Sequence, residues 1–163
     1  MNFHIIALGK GMPDWIAQGF ETYQKRMPAD CSLHLKELKA LDRAGNANIE
    51  ALLAKEALQL QAATPKGALR VVLDERGKDL STVQLAKYFE SWRETSQDVA
   101  FYIGSADGLD AQFKQSADLA IRLSSLTLPH MMVRVLLAEQ LYRAWSVIHN
   151  HPYHRVECFR NLG

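Results

Sequence analysis

The 163-residue sequence lacks several features that mark particular classes of protein. It has two cysteines, Cys31 and Cys158, which form no CxxC pair, so neither a disulfide framework nor a zinc cluster is expected. No apolar run reaches the roughly 18 residues that a membrane-spanning helix needs. No basic region precedes the first apolar run, which is also too short for a secretion signal. We therefore expect a soluble cytoplasmic protein that does not associate with membranes.

The motifs of common nucleotide sites are missing as well. Gly9-Lys10-Gly11 follows a strand pattern, but no third glycine completes GxGxxG, and the P-loop motif does not occur. The formal net charge of +1 does not mark a nucleic-acid-binding protein either. A site for a polyanion must therefore come from local clustering, and one cluster of histidines and arginines spans residues 149–160.

The sequence does contain an alternation of strand and helix patterns. Segments typical of strands occupy residues 2–8, 32–41, 69–73, 99–103 and the start of 119–128. Helical patterns fill the intervals: from Pro13 to Pro28, from Ile49, after the capping residue Ser81, from Asp110 and from Met131. This order predicts one α/β domain over residues 1–163, with a mostly parallel sheet and helices on both faces.

Ligands of open α/β sheets bind beyond the carboxyl ends of the strands, so residues 73–77, 104–109 and 123–130 are the candidate ligand segments. The last of these remains apolar after its strand should have ended, whereas a surface connection is normally polar. Its leucines, small side chains and main-chain groups suit a ligand that is part adenine and part thioether. A connection buried under a second subunit explains the pattern equally well. The glycines of Gly104–Gly108 permit close approach to a ligand or form a plain turn.

The helix that begins at Met131 is apolar on nearly all sides, so a second subunit is its natural cover. Arg134 lies on an apolar side of this helix and needs a partner or a ligand. Glu139 and Arg143 stand four residues apart, which predicts an intrahelical ion pair or two members of a site.

The segment Asn150–Arg155 combines aromatic, imidazole and guanidinium groups. Tyr153 is suited to stack on a base, Arg155 to hold a phosphate, and the histidines to accept a proton. The run lacks the histidine spacing and the acidic partner of a typical metal site, so no metal is expected. A solvated tail is the alternative interpretation.

The occurrence of several of these segments in one chain is specific for one protein family. The stretches TLPH at 127–130, YRAW at 142–145 and NHPYHR at 150–155, with MPDW at 12–15, resemble the ribosomal RNA large subunit methyltransferase H family. The resemblance covers essentially the whole chain. It implies the SPOUT fold, an α/β sheet with a C-terminal trefoil knot over about residues 100–155 that forms the cofactor pocket.

The resemblance also implies an activity: methylation of N3 of a pseudouridine in helix 69 of 23S ribosomal RNA, on the assembled 70S ribosome, by a homodimer that uses S-adenosylmethionine and no metal. The implied cofactor residues are Leu73, Gly104, Leu123, Ser124, Ser125, Leu126, Thr127 and Leu128. The residues implied around the target base are His130, Glu139, Arg143, Tyr153, His154 and Arg155.

Roles for these residues follow from the same resemblance. His130 or Glu139 would assist removal of the proton from N3, and Tyr153 would stack on the base. Three arginines would neutralise phosphate or the charge that develops on the base: Arg134, Arg143 and Arg155.

Two features depart from the family pattern. The family sequence Gly-Gly-Pro-Glu-Gly is replaced here by Gly104-Ser105-Ala106-Asp107-Gly108, and residues 156–163 continue past the usual end. The altered loop favours one alternative, a SPOUT protein that binds RNA or the ribosome without methyl transfer. A methyltransferase with a different RNA target is a further alternative.

Overall fold

The structure is a computed structural model that describes residues 1–45 and 48–155. The segment beyond Arg155, singled out from the sequence as an extension, lies outside the described residues. The strands are β1 (Phe3–Leu8), β2 (Leu33–Leu38), β3 (Leu69–Asp79), β4 (Val99–Ile103) and β5 (Leu119–Arg122). The helices are α1 (Asp14–Gln24), α2 (Ile49–Ala63), α3 (Thr82–Glu94), α4 (Ala111–Ser116) and α5 (Met132–Ile148), followed by a short 3-10 helix over Pro152–Arg155.

The five strands form a parallel sheet in the order β2-β1-β4-β3-β5. Alternate residues of each strand face opposite sides, as a pleated strand requires. Phe3 and Ile5 of β1 pack with α1, α3 and α5, whereas Ile6 and Leu8 pack with α2 and α4. The predicted α/β fold with a parallel sheet and helices on both faces is therefore confirmed. None of the described helices is both long and apolar enough to cross a lipid bilayer.

The predicted cap at the start of α3 is confirmed in detail. The Ser81 hydroxyl accepts a hydrogen bond from the Gln84 main-chain N–H at 3.2 Å, and the Gln84 side chain accepts one from the Ser81 N–H at 2.8 Å. This reciprocal arrangement satisfies two donors that the first turn of a helix leaves free. Asp110 caps α4 in a similar way by accepting from the Phe113 N–H at 3.0 Å.

Two boundaries differ from the prediction. Strand β3 continues to Asp79, beyond the predicted end at Leu73, because a register shift lets it pair again with β5. Gly77 permits this pairing, since a Cβ there would lie 2.6 Å from the Ile121 carbonyl carbon. Helix α1 ends at Gln24, before Pro28, because beyond Lys25 the N–H groups bond three residues back: Arg26 to Tyr23 and Met27 to Gln24.

Candidate functional site

The carboxyl edge of the sheet carries a histidine held between two strand ends. The imidazole Nε2 of His130 hydrogen-bonds to the Gly104 carbonyl, just after β4. A Cβ on Gly9, just after β1, would lie 3.5 Å from the His130 ring. A carbonyl only accepts, so Nε2 carries the hydrogen. The other ring nitrogen, Nδ1, is therefore the proton acceptor of the neutral ring.

Arg134 is buried directly behind this histidine. Its side chain is 0% exposed, and Nη1 donates to Glu37 Oε2 at 2.6 Å while Nη2 donates to the Gly9 carbonyl at 2.7 Å. The partner that the sequence required is thus Glu37 on β2. Arg134 ties the first turn of α5 to β1 and β2, and this buried position does not fit the expected role in neutralising phosphate or the target base.

The candidate cofactor segment lies at the same edge. Leu73 pairs with Ile121 in the β3–β5 ladder, and residues 123–128 follow two positions later. Leu126 is 76% exposed, although it is a large apolar side chain. Within residues 124–128, the Leu126 N–H bonds to Ser124 Oγ at 2.9 Å, and the described chain supplies no other main-chain hydrogen bond there. The segment therefore offers apolar surface and free main-chain polar groups side by side.

The turn after β4 needs glycine for its own closure. The Gly108 N–H bonds to the Ser105 carbonyl at 2.9 Å, and a Cβ on Gly104 would lie 2.5 Å from the Gly108 carbonyl oxygen. Gly108 has a φ of +86°, which L side chains rarely adopt. The structural interpretation of these glycines as a tight turn is thus confirmed.

An ion pair between a partly exposed arginine and a buried glutamate, which the sequence did not reveal, holds this turn. The Arg43 guanidinium forms two hydrogen bonds with the Glu56 carboxylate, at 2.7 and 2.8 Å. Its Nη2 also donates to Ser105 Oγ at 2.7 Å, and its Nε donates to Asp107 Oδ2 at 3.0 Å. The two polar residues by which this turn departs from the family pattern are therefore both bonded to Arg43.

The carboxylate of this pair is strongly biased toward its charged form. Glu56 is only 1% exposed, and burial alone would raise its pKa. Hydrogen bonds from Arg43, the Leu41 N–H and Ser105 outweigh that effect and hold the pKa of Glu56 below its usual range. Glu56 was missed because its helical pattern gives no sign of burial, and Arg43 because its segment reads as a polar connection.

A second group of predicted residues gathers on α5. Glu139 Oε1 accepts hydrogen bonds from Arg143 Nε at 2.7 Å and from the Tyr153 hydroxyl at 3.0 Å. The guanidinium carbon of Arg143 lies 4.9 Å from the centre of the Tyr153 ring, a cation–π distance. Burial, the Tyr23 hydroxyl and the Glu139 carboxylate together raise the pKa of Tyr153. The predicted Glu139–Arg143 pair is confirmed, and Glu139 also accepts the hydrogen bond from Tyr153 of the C-terminal tail.

The tail contacts α5 through His151, Tyr153 and His154. The buried Ser146 hydroxyl donates to the His151 carbonyl at 2.8 Å and lies 2.9 Å from His154 Nδ1. Because its single hydrogen is used by the carbonyl, His154 Nδ1 is the donor in the second contact. Arg155 Nη2 donates to Asn150 Oδ1 at 2.6 Å. The alternative of a solvated tail is therefore wrong for His151, Tyr153 and His154, whereas Asn150, Pro152 and Arg155 are exposed.

Within one chain the predicted catalytic residues form two separate groups. His130 precedes α5 at the carboxyl edge, whereas Glu139 lies seven residues into the helix from Met132, about 10 Å along its axis at about 1.5 Å per residue. Tyr153 and Arg143 belong with Glu139. Residues 1–45 and 48–155 contain no group of three or more histidine, cysteine, aspartate or glutamate side chains placed to hold a metal ion.

Comparison with known proteins identifies the family of the chain. Residues 1–154 match the family described as "Predicted SPOUT methyltransferase". The chain belongs to the SPOUT methyltransferase family. Three relatives of this SPOUT methyltransferase carry the name "Ribosomal RNA large subunit methyltransferase H". They come from Janthinobacterium sp. (strain Marseille), at 59% identity, and from Herminiimonas arsenicoxydans and Paraburkholderia xenovorans (strain LB400), each at 56%. Each alignment covers 96% of this chain and 100% of the relative.

Proposed function

We propose that this SPOUT methyltransferase transfers the methyl group of S-adenosylmethionine to N3 of a pseudouridine in helix 69 of 23S ribosomal RNA, on the assembled 70S ribosome. The observation that carries the proposal is the similarity to ribosomal RNA methyltransferases along the full length of those relatives, at 54–59% identity. The two residue groups of α5 and the carboxyl edge give the proposal a chemical basis.

The carboxyl edge fits the cofactor. Leu126 offers exposed apolar surface, and the main chain of residues 124–128 offers free donors and acceptors, the combination that an adenosine with a thioether chain needs. We assign the cofactor to the eight residues Leu73, Gly104, Leu123, Ser124, Ser125, Leu126, Thr127 and Leu128. The bound cofactor supplies an electrophilic methyl group. The trefoil knot over about residues 100–155 is part of this proposal.

The target base must lose the proton of N3 as the nitrogen takes up the methyl group. Glu139 Oε1 already accepts hydrogen bonds from Arg143 and Tyr153, and Oε2 accepts one from the Gln140 side chain at 2.7 Å, so both carboxylate oxygens are occupied within their own chain. At the carboxyl edge, Nδ1 of His130 has no hydrogen-bond partner among residues 1–45 and 48–155. His130 is therefore our choice of proton acceptor, with Glu139 holding Tyr153 in place.

The remaining residues would recognise the nucleotide. Tyr153 offers a ring for stacking on the base, while Arg143 and Arg155 supply positive charge for phosphate or for the base anion. His154 is fixed through Ser146 and orients the 3-10 helix that carries Tyr153.

A homodimer would unite the two groups. His130 and the Glu139–Tyr153 group stand apart in one chain, and Leu136 and Trp145 on α5 remain only half-buried. Packing α5 against a second copy would cover these side chains and bring the tail of one subunit to the carboxyl edge of the other.

The test uses ribosomes that lack the modification. The protein is incubated with them and S-adenosylmethionine, and the methyl group is mapped by mass spectrometry. We expect one methyl group on N3 of the helix 69 pseudouridine. Transfer to another nucleotide would indicate a different RNA target, and cofactor binding without transfer would indicate an RNA-binding protein.

A second experiment tests whether each active site is formed by residues of both subunits. A mixture of His130→Ala and Tyr153→Ala chains is expected to regain part of the activity that each variant loses alone, because mixed dimers contain one intact composite site. Sedimentation of the same samples checks the dimer. A mixture that forms dimers without regaining activity would contradict the shared site.

A further inference from the structure

A groove runs between the edge strand β2 and helix α2, on the side of the sheet away from α5. It consists of two adjoining cavities of about 270 and 340 Å³ that share Lys36 and Ala63 in their walls. The whole chain has 19 lysines and arginines against 18 acidic residues. The described residues that line the groove nevertheless include two lysines, two histidines and no carboxylate. The groove is thus locally basic in a chain that is nearly neutral.

The basic groups are accompanied by flat rings. His34 is exposed and stacks on His4, with ring centres 5.3 Å apart and planes 21° apart. The His4 ring is held by Asp98, whose Oδ2 lies 3.0 Å from Nε2. Lys36 lies on β2, Lys39 is the residue directly after this strand, and both side chains are exposed. Cations beside a fixed stacking surface are the combination by which proteins bind single-stranded nucleic acid.

The groove leads to the candidate active site. Leu38, the last residue of β2, lines the groove, and its carbonyl accepts a hydrogen bond from the Gly9 N–H at 2.7 Å. Gly9 in turn lies beside His130. From His34 to Lys39 the groove extends about 17 Å, at about 3.3 Å per residue of strand. A strand of RNA that leaves the active site at this edge would meet the groove directly.

We propose that the groove between β2 and α2 binds a single-stranded segment of ribosomal RNA next to the methylated base, with Lys36 and Lys39 on phosphates and His34 stacked on a base. This inference rests on the proposed function, because it takes ribosomal RNA as the substrate. The juxtaposition of exposed cations and stacked imidazoles favours RNA over a protein segment, for which the lysines would be superfluous.

The first test measures binding of the full chain to ribosomes that lack the modification, over a range of salt concentrations. Lys36→Ala and Lys39→Ala are each expected to weaken binding about five-fold and to lower the slope of log K against log salt by about one. The KM for ribosomes should rise while kcat and the Kd of S-adenosylmethionine stay unchanged. Lys87→Ala, which removes an exposed lysine from α3, is the matched control and should change none of these values.

The results separate the inference from the proposed function. If the wild-type chain binds ribosomes but transfers no methyl group, the proposed function fails, and the salt slopes still test the groove. If Lys36→Ala and Lys39→Ala bind ribosomes with the wild-type slope, the groove proposal is wrong. The same holds if these variants aggregate but retain the wild-type KM, because the lysines would then serve only to keep edge strand β2 from pairing with other chains.

A crosslink identifies the occupant. A photoreactive phenylalanine analogue in place of His34 is expected to crosslink to 23S ribosomal RNA near helix 69 when the complex is irradiated. A crosslink to a ribosomal protein would overturn the RNA assignment. The same analogue in place of Lys87 controls for nonspecific reaction.

Discussion

Ser105 Oγ lies 2.7 Å from Arg43 Nη2, and this contact joins the turn after β4 to the polar segment after β2. The carbonyl of the preceding residue, Gly104, accepts the hydrogen bond of His130. The ion pair of Arg43 with buried Glu56 is therefore connected, through two adjacent residues, to the histidine that we assign as the proton acceptor. A substitution at Arg43 or Glu56, distant from the reacting groups, should therefore alter the position of His130.

Removing Arg43 is expected to destabilise the fold. Arg43→Ala leaves the Glu56 carboxylate buried without its cation, and we expect the free energy of unfolding to fall by about 3 kcal/mol. Denaturation in urea measures this loss. Glu90→Gln, an exposed change on α3, is the control and should shift the free energy by less than about 0.5 kcal/mol. A loss for Arg43→Ala as small as that of the control would show that the pair is not a structural requirement.

The same pair predicts a pH dependence of stability. The folded-state pKa of Glu56 lies below the ordinary glutamate value of 4.5, so its contribution to stability is complete above that value and is lost as the pH falls through the folded pKa. We therefore expect wild type to exceed Glu56→Gln in unfolding free energy at pH 7 and the gap to close in acid. A gap that stayed constant from pH 7 to pH 3 would contradict this linkage.

Gly104→Ala should disturb the cofactor edge. Its Cβ would lie 2.5 Å from the Gly108 carbonyl oxygen, so the turn must shift and the His130 hydrogen bond with it. We expect the Kd of S-adenosylmethionine to rise at least about ten-fold, a cost of about 1.4 kcal/mol. Gly19→Ala is the matched control, because its Cβ meets only Val135 at an ordinary 3.4 Å and alanine favours the α1 helix. Unchanged calorimetric affinity in Gly104→Ala would refute the role of this turn.

His130 should be needed for chemistry more than for cofactor binding. His130→Ala is expected to lower kcat about 100-fold or more, the usual contribution of a general base, with a much smaller change in the Kd of S-adenosylmethionine. His130→Gln can still donate to the Gly104 carbonyl, and it should restore cofactor affinity but not kcat. Single-turnover methylation of ribosomes measures the rate. Full activity of His130→Gln would mean that the ring only positions the turn.

Tyr153 should act through its ring. Its raised pKa keeps the phenol neutral, so it has no role as a base near neutral pH. Tyr153→Phe keeps the ring under Arg143 and is expected to retain activity within about three-fold, whereas Tyr153→Ala should lose stacking of about 1–3 kcal/mol in kcat/KM for ribosomes. If Tyr153→Phe proved as inactive as Tyr153→Ala, the hydroxyl bonded to Glu139 would be the essential group.

Much of the fold was predictable because its signals are local. The Ser81 cap and the five apolar strand patterns each depend on a few neighbouring residues. The polar half of β3 was missed since Asp74–Asp79 has no apolar alternation, and its pairing depends on Gly77 meeting Ile121 of another strand.

The site was predictable only in part, for the same physical reason. Glu139 and Arg143 stand one helical turn apart, so their pairing follows from spacing alone. Arg134 and Glu37 are 97 residues apart, and Arg43 and Ser105 are 62 apart. No periodicity in the sequence reports contacts of that separation. The site roles remain predictions, and they rest on the resemblance to the family.

The central strand pair of the sheet also bears on how the chain is made. Phe3 pairs with Val99, and the Asn2 N–H bonds to Asp98, which lies 96 residues later. A newly synthesised β1 thus has only β2 beside it until β4 emerges from the ribosome. Pairings so distant in sequence slow folding. We therefore expect the sheet to close late in translation, so that the core of this methyltransferase forms only when most of the chain has been synthesised.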